Sequence, residues 1–300
     1  MGKVYEAIER AEREETKHNL SAVPFQNPHI AAKAEARETA NQFDFIDYSL
    51  NAKPASEVSQ RLHEEAIATF SRRSMIEPAT QVKIDSTRID PHLAAFFDSS
   101  LMASEQYNKL AISLIAEKEE RPLKKILIAS THRAEGRTCV ALNLACVLAR
   151  ARQKVLVIDA DLQRPSVLRC LGIEAQEGLT NVIQQNLSPG QATIQVQPFG
   201  FQILPTREQV ENPTELFTSP RFREVLEMLE PEFDFMLFDS SPLLRVNDAN
   251  LLVRMTDVIV YVIRAGKTSS LQLGKAVRAL TPEHIFGVVL NRTQSWAEEL

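Results

Sequence analysis

Residues 130–139 read "STHRAEGRTC" and join two segments of different character. Before them stands Ile126-Leu127-Ile128-Ala129, an apolar run of strand length. After them Val140-Ala141-Leu142-Asn143-Leu144-Ala145 has the composition of a helix. Bare backbone N–H groups at a helix N-terminus hold phosphate through direct bonds and through the helix dipole. In such a loop Gly136 lets the backbone approach closely, Arg137 can reach the outer phosphates and Thr138 can offer its hydroxyl to Mg2+. The pattern G-x-x-x-x-G-K-[ST] is not met in full, because Thr131 takes the first Gly position and Arg137 the Lys position. Taken alone, the loop fits an ordinary strand–turn–helix equally well.

The segments on either side give that unit its setting. From residue 124 onward short β-branched runs, "KKILIAS", "KVLVIDA", "FQILP", "FDFMLFD", "DVIVYVIRA" and "IFGVVLN", alternate with helix-like segments. Near-continuously apolar strands separated by helices predict an α/β fold, a doubly wound and mostly parallel sheet covered on both faces. Such sheets bind ligands beyond the carboxyl ends of their strands. The polar candidates all fall there: Ser130 to Thr138, Asp159 to Arg164, Asp239 to Pro242, Arg264 to Thr268, and Asn291-Arg292.

Upstream the pattern is weaker. Residues 1–20 contain a mixed-charge helix with a thin stripe of Val4, Ile8 and Ala11. Residues 21–80 read as linker with a short helix in "EVSQRLHEEAIATFSRRS", and 81–300 as the main domain, with its sheet core over 124–292. "QVKIDSTRID" is a possible strand, and "SSLMASEQYNKLAISLIAEK" a helix capped by Ser100 or Ser104.

The chain has 300 residues, 44% of them hydrophobic, enough to bury one sizeable core. A net charge of -5 gives no sign of nucleic-acid binding. No apolar run approaches the roughly 18 residues that cross a bilayer. The charged start lacks the apolar core of a secretory signal, so a cytoplasmic protein is expected. Cys139, Cys146 and Cys170 show no C-x-x-C spacing, so neither a disulfide framework nor a zinc site is indicated, and small buried core residues are the plain expectation.

Two acidic motifs bear on the loop. Asp159 and Asp161 lie two apart at a strand end, which in extended chain places them on one face. Two carboxylates there can hold Mg2+, and one can accept a proton from an attacking hydroxyl. A capped turn is the competing reading, since Asp161 and Pro165 both suit helix starts. Asp239 ends another apolar strand, as a carboxylate at the metal should.

From about residue 80 onward the chain resembles the bacterial tyrosine kinases of capsule and exopolysaccharide export, a family with a P-loop nucleotide-binding domain. The likeness rests on Ser130…Glu135-Gly136-Arg137-Thr138, on Asp159-Ala160-Asp161-Leu162-Gln163-Arg164-Pro165, and on Asp239-Ser240-Ser241-Pro242. "GLTNVI", "NPTELFTSPRFREVLEML", "VNDANLL", "VIRAGKT" and "GVVLNR" extend it, and "KVYEAIERAERE" resembles the start of kinases encoded with exopolysaccharide clusters. The resemblance implies ATP and Mg2+ as cofactors. Ala134, Glu135, Gly136, Arg137, Thr138 and Cys139 would surround the phosphates, with Asn291 and Arg292 flanking the adenine. Thr138, Asp161 and Asp239 would hold the metal, and Asp159, Asp161 and Arg137 would serve catalysis. It also implies an inner-membrane polysaccharide co-polymerase as partner, with the chain held peripherally at that membrane.

Several positions depart from the family pattern. Arg133 and Ala134 stand where the family has Pro and Gly, and Ala134 is strained if that position needs positive φ. Arg137 keeps the charge of the usual Lys without its compact ammonium, and Gln163 replaces a basic residue. Phosphoryl transfer depends on donor placement, so turnover is expected to suffer more than binding. The family's E-x-x-R-x-x-R ring motif is represented by Glu105, Asn108 and Ala111, and a cluster of tyrosines near the end is not seen. Two readings follow: a tyrosine kinase using Mg-ATP, and a catalytically impaired pseudokinase acting as a regulatory or scaffold subunit.

Overall fold

In the computed structural model the described residues are 78, 80–97, 102–244, 248–278, 280 and 284–293. The helix expected in residues 1–20, the linker over 21–77 and Ser100 lie outside them. Among the described residues, eight strands form one sheet: β1 (Thr80–Lys83), β2 (Lys125–Ser130), β3 (Val155–Ala160), β4 (Ile194–Gln197), β5 (Gln202–Leu204), β6 (Phe235–Ser240), β7 (Val258–Arg264) and β8 (Ile285–Asn291). Their spatial order is β1-β4-β5-β3-β6-β2-β7-β8. All neighbouring pairs are parallel except β4 and β5, which form an antiparallel pair.

The expected two-sided burial is explicit in the side chains. On β2, Leu127 and Ala129 enter one core, while Ile126 and Ile128 enter the other. The same alternation on β3 sends Leu156 and Ile158 one way and Val155 and Val157 the other. A period of two with apolar residues on both faces is what a sheet covered by helices on each side requires.

One face carries the helices α1 (Ala94–Phe97), α2 (Met102–Glu120) and α3 (Arg137–Arg150), with Leu114, Leu144 and Leu148 in its core. Next in the chain come α4 (Val167–Leu171), α5 (Leu179–Gln184), α6 (Pro189–Ala192), α7 (Pro213–Thr218), α8 (Pro220–Leu229), α9 (Asp248–Val253) and α10 (Ser270–Arg278). Helix α8 shows how sequence sets an element. Ser219 accepts the Phe222 N–H, Pro220 sits in the first turn, and Phe222, Val225, Leu226 and Leu229 are buried at helical spacing. Those four join Leu127 and Leu156 in the opposite core.

Three local expectations need correction. The strand expected over 81–90 ends at Lys83, because Asp85 accepts the Thr87 N–H and turns the chain. Ser104 lies inside α2 and does not cap it. Strand β4 was not foreseen, since its four residues Ile-Gln-Val-Gln follow helix α6 directly and carry only two apolar side chains.

The segment before α2 is fixed to α3 by one fully buried amide. Asn143 Oδ1 accepts the Ala95 N–H at 2.9 Å, and its Nδ2 donates to the carbonyls of His92 at 3.1 Å and Cys139 at 2.8 Å. Substituting Asn143→Ala leaves a buried donor and acceptors unpaired, so we expect a loss of about 2–4 kcal/mol in denaturant-unfolding stability. A loss under about 0.5 kcal/mol would contradict this role.

Candidate nucleotide and metal centre

The loop quoted at the outset runs from the carboxyl end of β2 into α3. Its two turning residues, Ala134 and Gly136, have φ of 60° and 102°. Ala134 therefore occupies the left-handed region, with the strain anticipated for a residue carrying Cβ. At Gly136 a Cβ would stand 2.0 Å from Asn291 Nδ2, so glycine is required by space as well as by φ. The Asn291 amide fills that space because it donates to the Glu135 carbonyl at 2.9 Å.

No side chain caps α3, and its first ladder bond runs from the Val140 N–H to the Gly136 carbonyl. The N–H groups of Arg137, Thr138 and Cys139 thus have no partner within the helix. Glu135 is buried and braces the loop: its carboxylate accepts the His132 N–H at 2.8 Å and the Thr268 hydroxyl. Thr131 bonds the Tyr261 hydroxyl at 2.9 Å, which places that tyrosine in the core, its phenol pushed up by burial.

Arg137 is buried, with 7% of its surface exposed, and is satisfied by the protein itself. Its Nε donates to the Ser240 carbonyl at 2.6 Å, and Nη1 to the His132 carbonyl at 2.9 Å and to Ser130 Oγ. Nη2 meets Asp161 Oδ2 at 3.4 Å in a buried ion pair. Four of the five guanidinium N–H directions are thereby used.

The carboxylates separate by role. Asp159, within β3, accepts the N–H groups of Ser166 and Val167 at 3.0 Å each and so holds the start of α4. Asp161 lies beyond the end of β3, pairs with Arg137 and accepts the Arg164 N–H at 3.2 Å. The two carboxylates, expected on one face of extended chain, have different hydrogen-bond partners, because β3 ends at Ala160 between them. Asp239 on β6 accepts the Thr138 hydroxyl at 2.6 Å, and Thr138 also bonds Ser166 Oγ at 2.7 Å.

Burial pushes all three acids up. Asp159 is raised well above its ordinary value by burial and by the neighbouring Asp239 charge. Asp161 is raised by burial despite Arg137, and Asp239 is raised by burial to about 7. Asp159 Oδ1 and Asp239 Oδ1 have no hydrogen-bond partner. Buried hard oxygens without partners, beside a threonine hydroxyl, form a donor set suited to a hard divalent cation. Arg292 is exposed with φ of 58°, next to the loop-bracing Asn291. Sequence reading missed Ser166 and the Ser240 carbonyl, which enter only through contacts between distant segments.

A loop turned by Ala134 and Gly136 between β2 and α3, with Asp161 and Asp239 at the sheet's carboxyl edge, is the arrangement of a P-loop fold. The family model described as an AAA domain matches residues 123–274. "Tyrosine-protein kinase YwqD" of Bacillus subtilis is 32% identical over 207 residues, covering 68% of this chain and 87% of its own. The VpsO kinase domain superposes with a TM-score of 0.56 at 30% identity, over 64% of this chain and 98% of its own. The chimerical protein CapA2B2 gives a TM-score of 0.65 at 23% identity, covering 77% of this chain and all of that one, a likeness of fold. The chain belongs to the bacterial tyrosine kinase family.

The Asp239 carboxyl yields a pH dependence. In the fold it keeps its proton to about 7, against 3.8 as the ordinary value. Its contribution to stability is therefore fully present below pH 3.8 and is lost as pH rises through about 7. Unfolding curves of wild type and Asp239→Asn, compared from pH 4 to 8, should diverge in favour of the variant as pH rises. A difference that stays flat would contradict a carboxyl whose proton affinity is raised by burial.

Proposed function

We propose that this chain binds Mg-ATP through residues 134–139 and transfers the γ-phosphoryl group slowly, serving capsule or exopolysaccharide synthesis as a regulatory member of its family. The observation that carries this reading is the state of Arg137, whose guanidinium is tied to Asp161, Ser130, His132 and Ser240. The start of α3 keeps its backbone donors, since no side chain caps it, although the Asn291 amide stands over Gly136. Binding therefore keeps its backbone donors, while the cation that should follow charge into the transition state is held by a carboxylate.

Bound Mg2+ would be held by Thr138, Asp239 and Asp161, and it would supply charge neutralisation for the phosphates. In transfer to a tyrosine or to water, the bond from the γ-phosphorus to the bridging oxygen breaks as the acceptor oxygen bonds to phosphorus. The acceptor's proton has the unpartnered Oδ1 of Asp159 as a base in the same buried cluster. Asn291, bonded to the Glu135 carbonyl, and the adjoining Arg292 would contact the base.

No helix among the described residues is long and apolar enough to cross a membrane. The partner that fits the family role is an inner-membrane polysaccharide co-polymerase, with the chain placed in the cytoplasm against it. In the ring-motif helix α2, Glu105 is exposed, Asn108 half-buried and Ala111 buried, so the helix carries no arginine pair there for salt-bridged self-association.

Titration calorimetry of the full chain with ATP tests the reading. We expect one site per chain, a Kd of about 1–100 μM with Mg2+, and affinity at least about tenfold weaker without it. Absence of heat under both conditions would sink the proposal.

A further inference from the structure

Beside the carboxylates just described, three segments bring together side-chain ligand atoms that the proposed function does not use, the Cys139 backbone alone belonging to the 134–139 loop. Cys139 follows Thr138 on the first turn of α3, Cys170 lies in the short helix α4, and Asp90 precedes α1. One sulfur from each cysteine and one carboxylate oxygen of Asp90 all lie within 4.8 Å of one another. Cys170 is buried, whereas Asp90 and Cys139 are half-buried, so the group opens to solvent on one side. Among the described residues it is the one cluster of three such side chains at this spacing. We propose that Asp90, Cys139 and Cys170 bind a single thiophilic divalent cation of the zinc type.

The surrounding contacts hold the three groups in place. The Asp90 N–H donates to the Cys170 carbonyl at 2.8 Å, tying the two backbones together. His92 grips Asp90 Oδ1 through its own N–H at 2.9 Å and its Nδ1 at 2.8 Å. Ligating carboxylates are oriented by hydrogen bonds of this kind. A Cβ on Gly172 would meet the Arg88 carbonyl at 2.5 Å, so the segment ahead of Asp90 packs directly on the end of α4. The Cys139 carbonyl is held by Asn143 Nδ2 at 2.8 Å.

The ligand set selects the class of ion. Two sulfurs and one oxygen suit Zn2+, whose bonds to sulfur are about 2.3 Å and to carboxylate about 2.0–2.2 Å. A tetrahedral ion then spaces its two sulfurs by about 3.8 Å, a contraction of about 1 Å at most from the spread seen here. Binding displaces the two thiol protons to solvent, forms two Zn–S bonds and one Zn–O bond, and leaves the fourth position to water from the open side. No redox change is involved. The hard-oxygen centre around Asp239 is a different site, since the Thr138 side chain turns to Asp239 and Ser166 while Cys139 turns to Cys170. Sequence spacing gave no sign of this site because its ligands come from three separate segments. Cys146 and Cys170 both match the expected buried core cysteine, and Cys146 directs its thiol to the Ala95 carbonyl at 3.4 Å.

Cobalt absorption on the reduced full chain tests the proposal. Co2+ should bind at one equivalent with thiolate-to-cobalt charge transfer and intense tetrahedral visible bands, and Zn2+ should abolish both. Cobalt at the oxygen centre gives neither band, so the two sites are distinguishable. Cys139→Ser and Cys170→Ser should each remove the charge-transfer band, Asp90→Asn should weaken binding at least about tenfold, and Cys146→Ala should change nothing. Wild-type protein without the band overturns the proposal whatever the variants do. So does a band that survives both serine substitutions, or reduced thiols that pair as a disulfide in air while taking up no cobalt or zinc.

Discussion

A guanidinium buried at the carboxyl edge of the sheet must find acceptors for its N–H groups, and that demand organises the site. Arg137 draws on Ser130 at the end of β2, on the loop carbonyl of His132, on the Ser240 carbonyl at the end of β6, and on Asp161 beyond β3. Three segments, the loop over 130–137, the end of β6 and the turn beyond β3, are therefore pinned by one side chain. Removing one partner from a buried ion pair typically costs about 3–5 kcal/mol, because the other charge is left uncompensated. A lysine has three donors on a single nitrogen and cannot reach the same set of acceptors at once.

The same constraint sets the charge of the site. Asp159, Asp161 and Asp239 are all buried, and Arg137 pairs with one of them. Arg133 adds positive charge near Asp161, favouring its ionised form, though burial prevails there. The remaining excess of carboxylate is expressed as raised proton affinity and as two oxygens without partners. Protons satisfy that excess at low pH, and a hard cation is the other way to satisfy it. In the proposed function, backbone donors at the start of α3 and the carboxylate at Asp239 would be complementary halves of a site for a metal-bound polyphosphate.

Much of this was legible in the sequence. The apolar runs at residues 126–129, 155–158, 235–238 and 258–263 announce buried strands because each has apolar side chains on both faces. The edge of the sheet collecting the polar motifs followed from that periodicity alone. Strand β4 escaped because four residues, half of them glutamine, leave little apolar signal. The hydrogen bonds that Asp159 accepts escaped for another reason: Ser166 and Val167 lie across a turn whose shape depends on where β3 stops. The fate of Arg137 was the least legible. A basic residue after glycine reads as a phosphate ligand, and only packing shows that its donors are already engaged.

The most direct test of this account is the rate of phosphoryl transfer from Mg-ATP, to water and to a tyrosine peptide, by wild type and by Arg137→Lys. A compact ammonium released from the Ser240 and His132 carbonyls can follow the phosphoryl charge, so the account predicts a gain of at least about tenfold, or about 1.4 kcal/mol of barrier. A variant no faster than wild type would contradict the claim that the tethered guanidinium limits turnover.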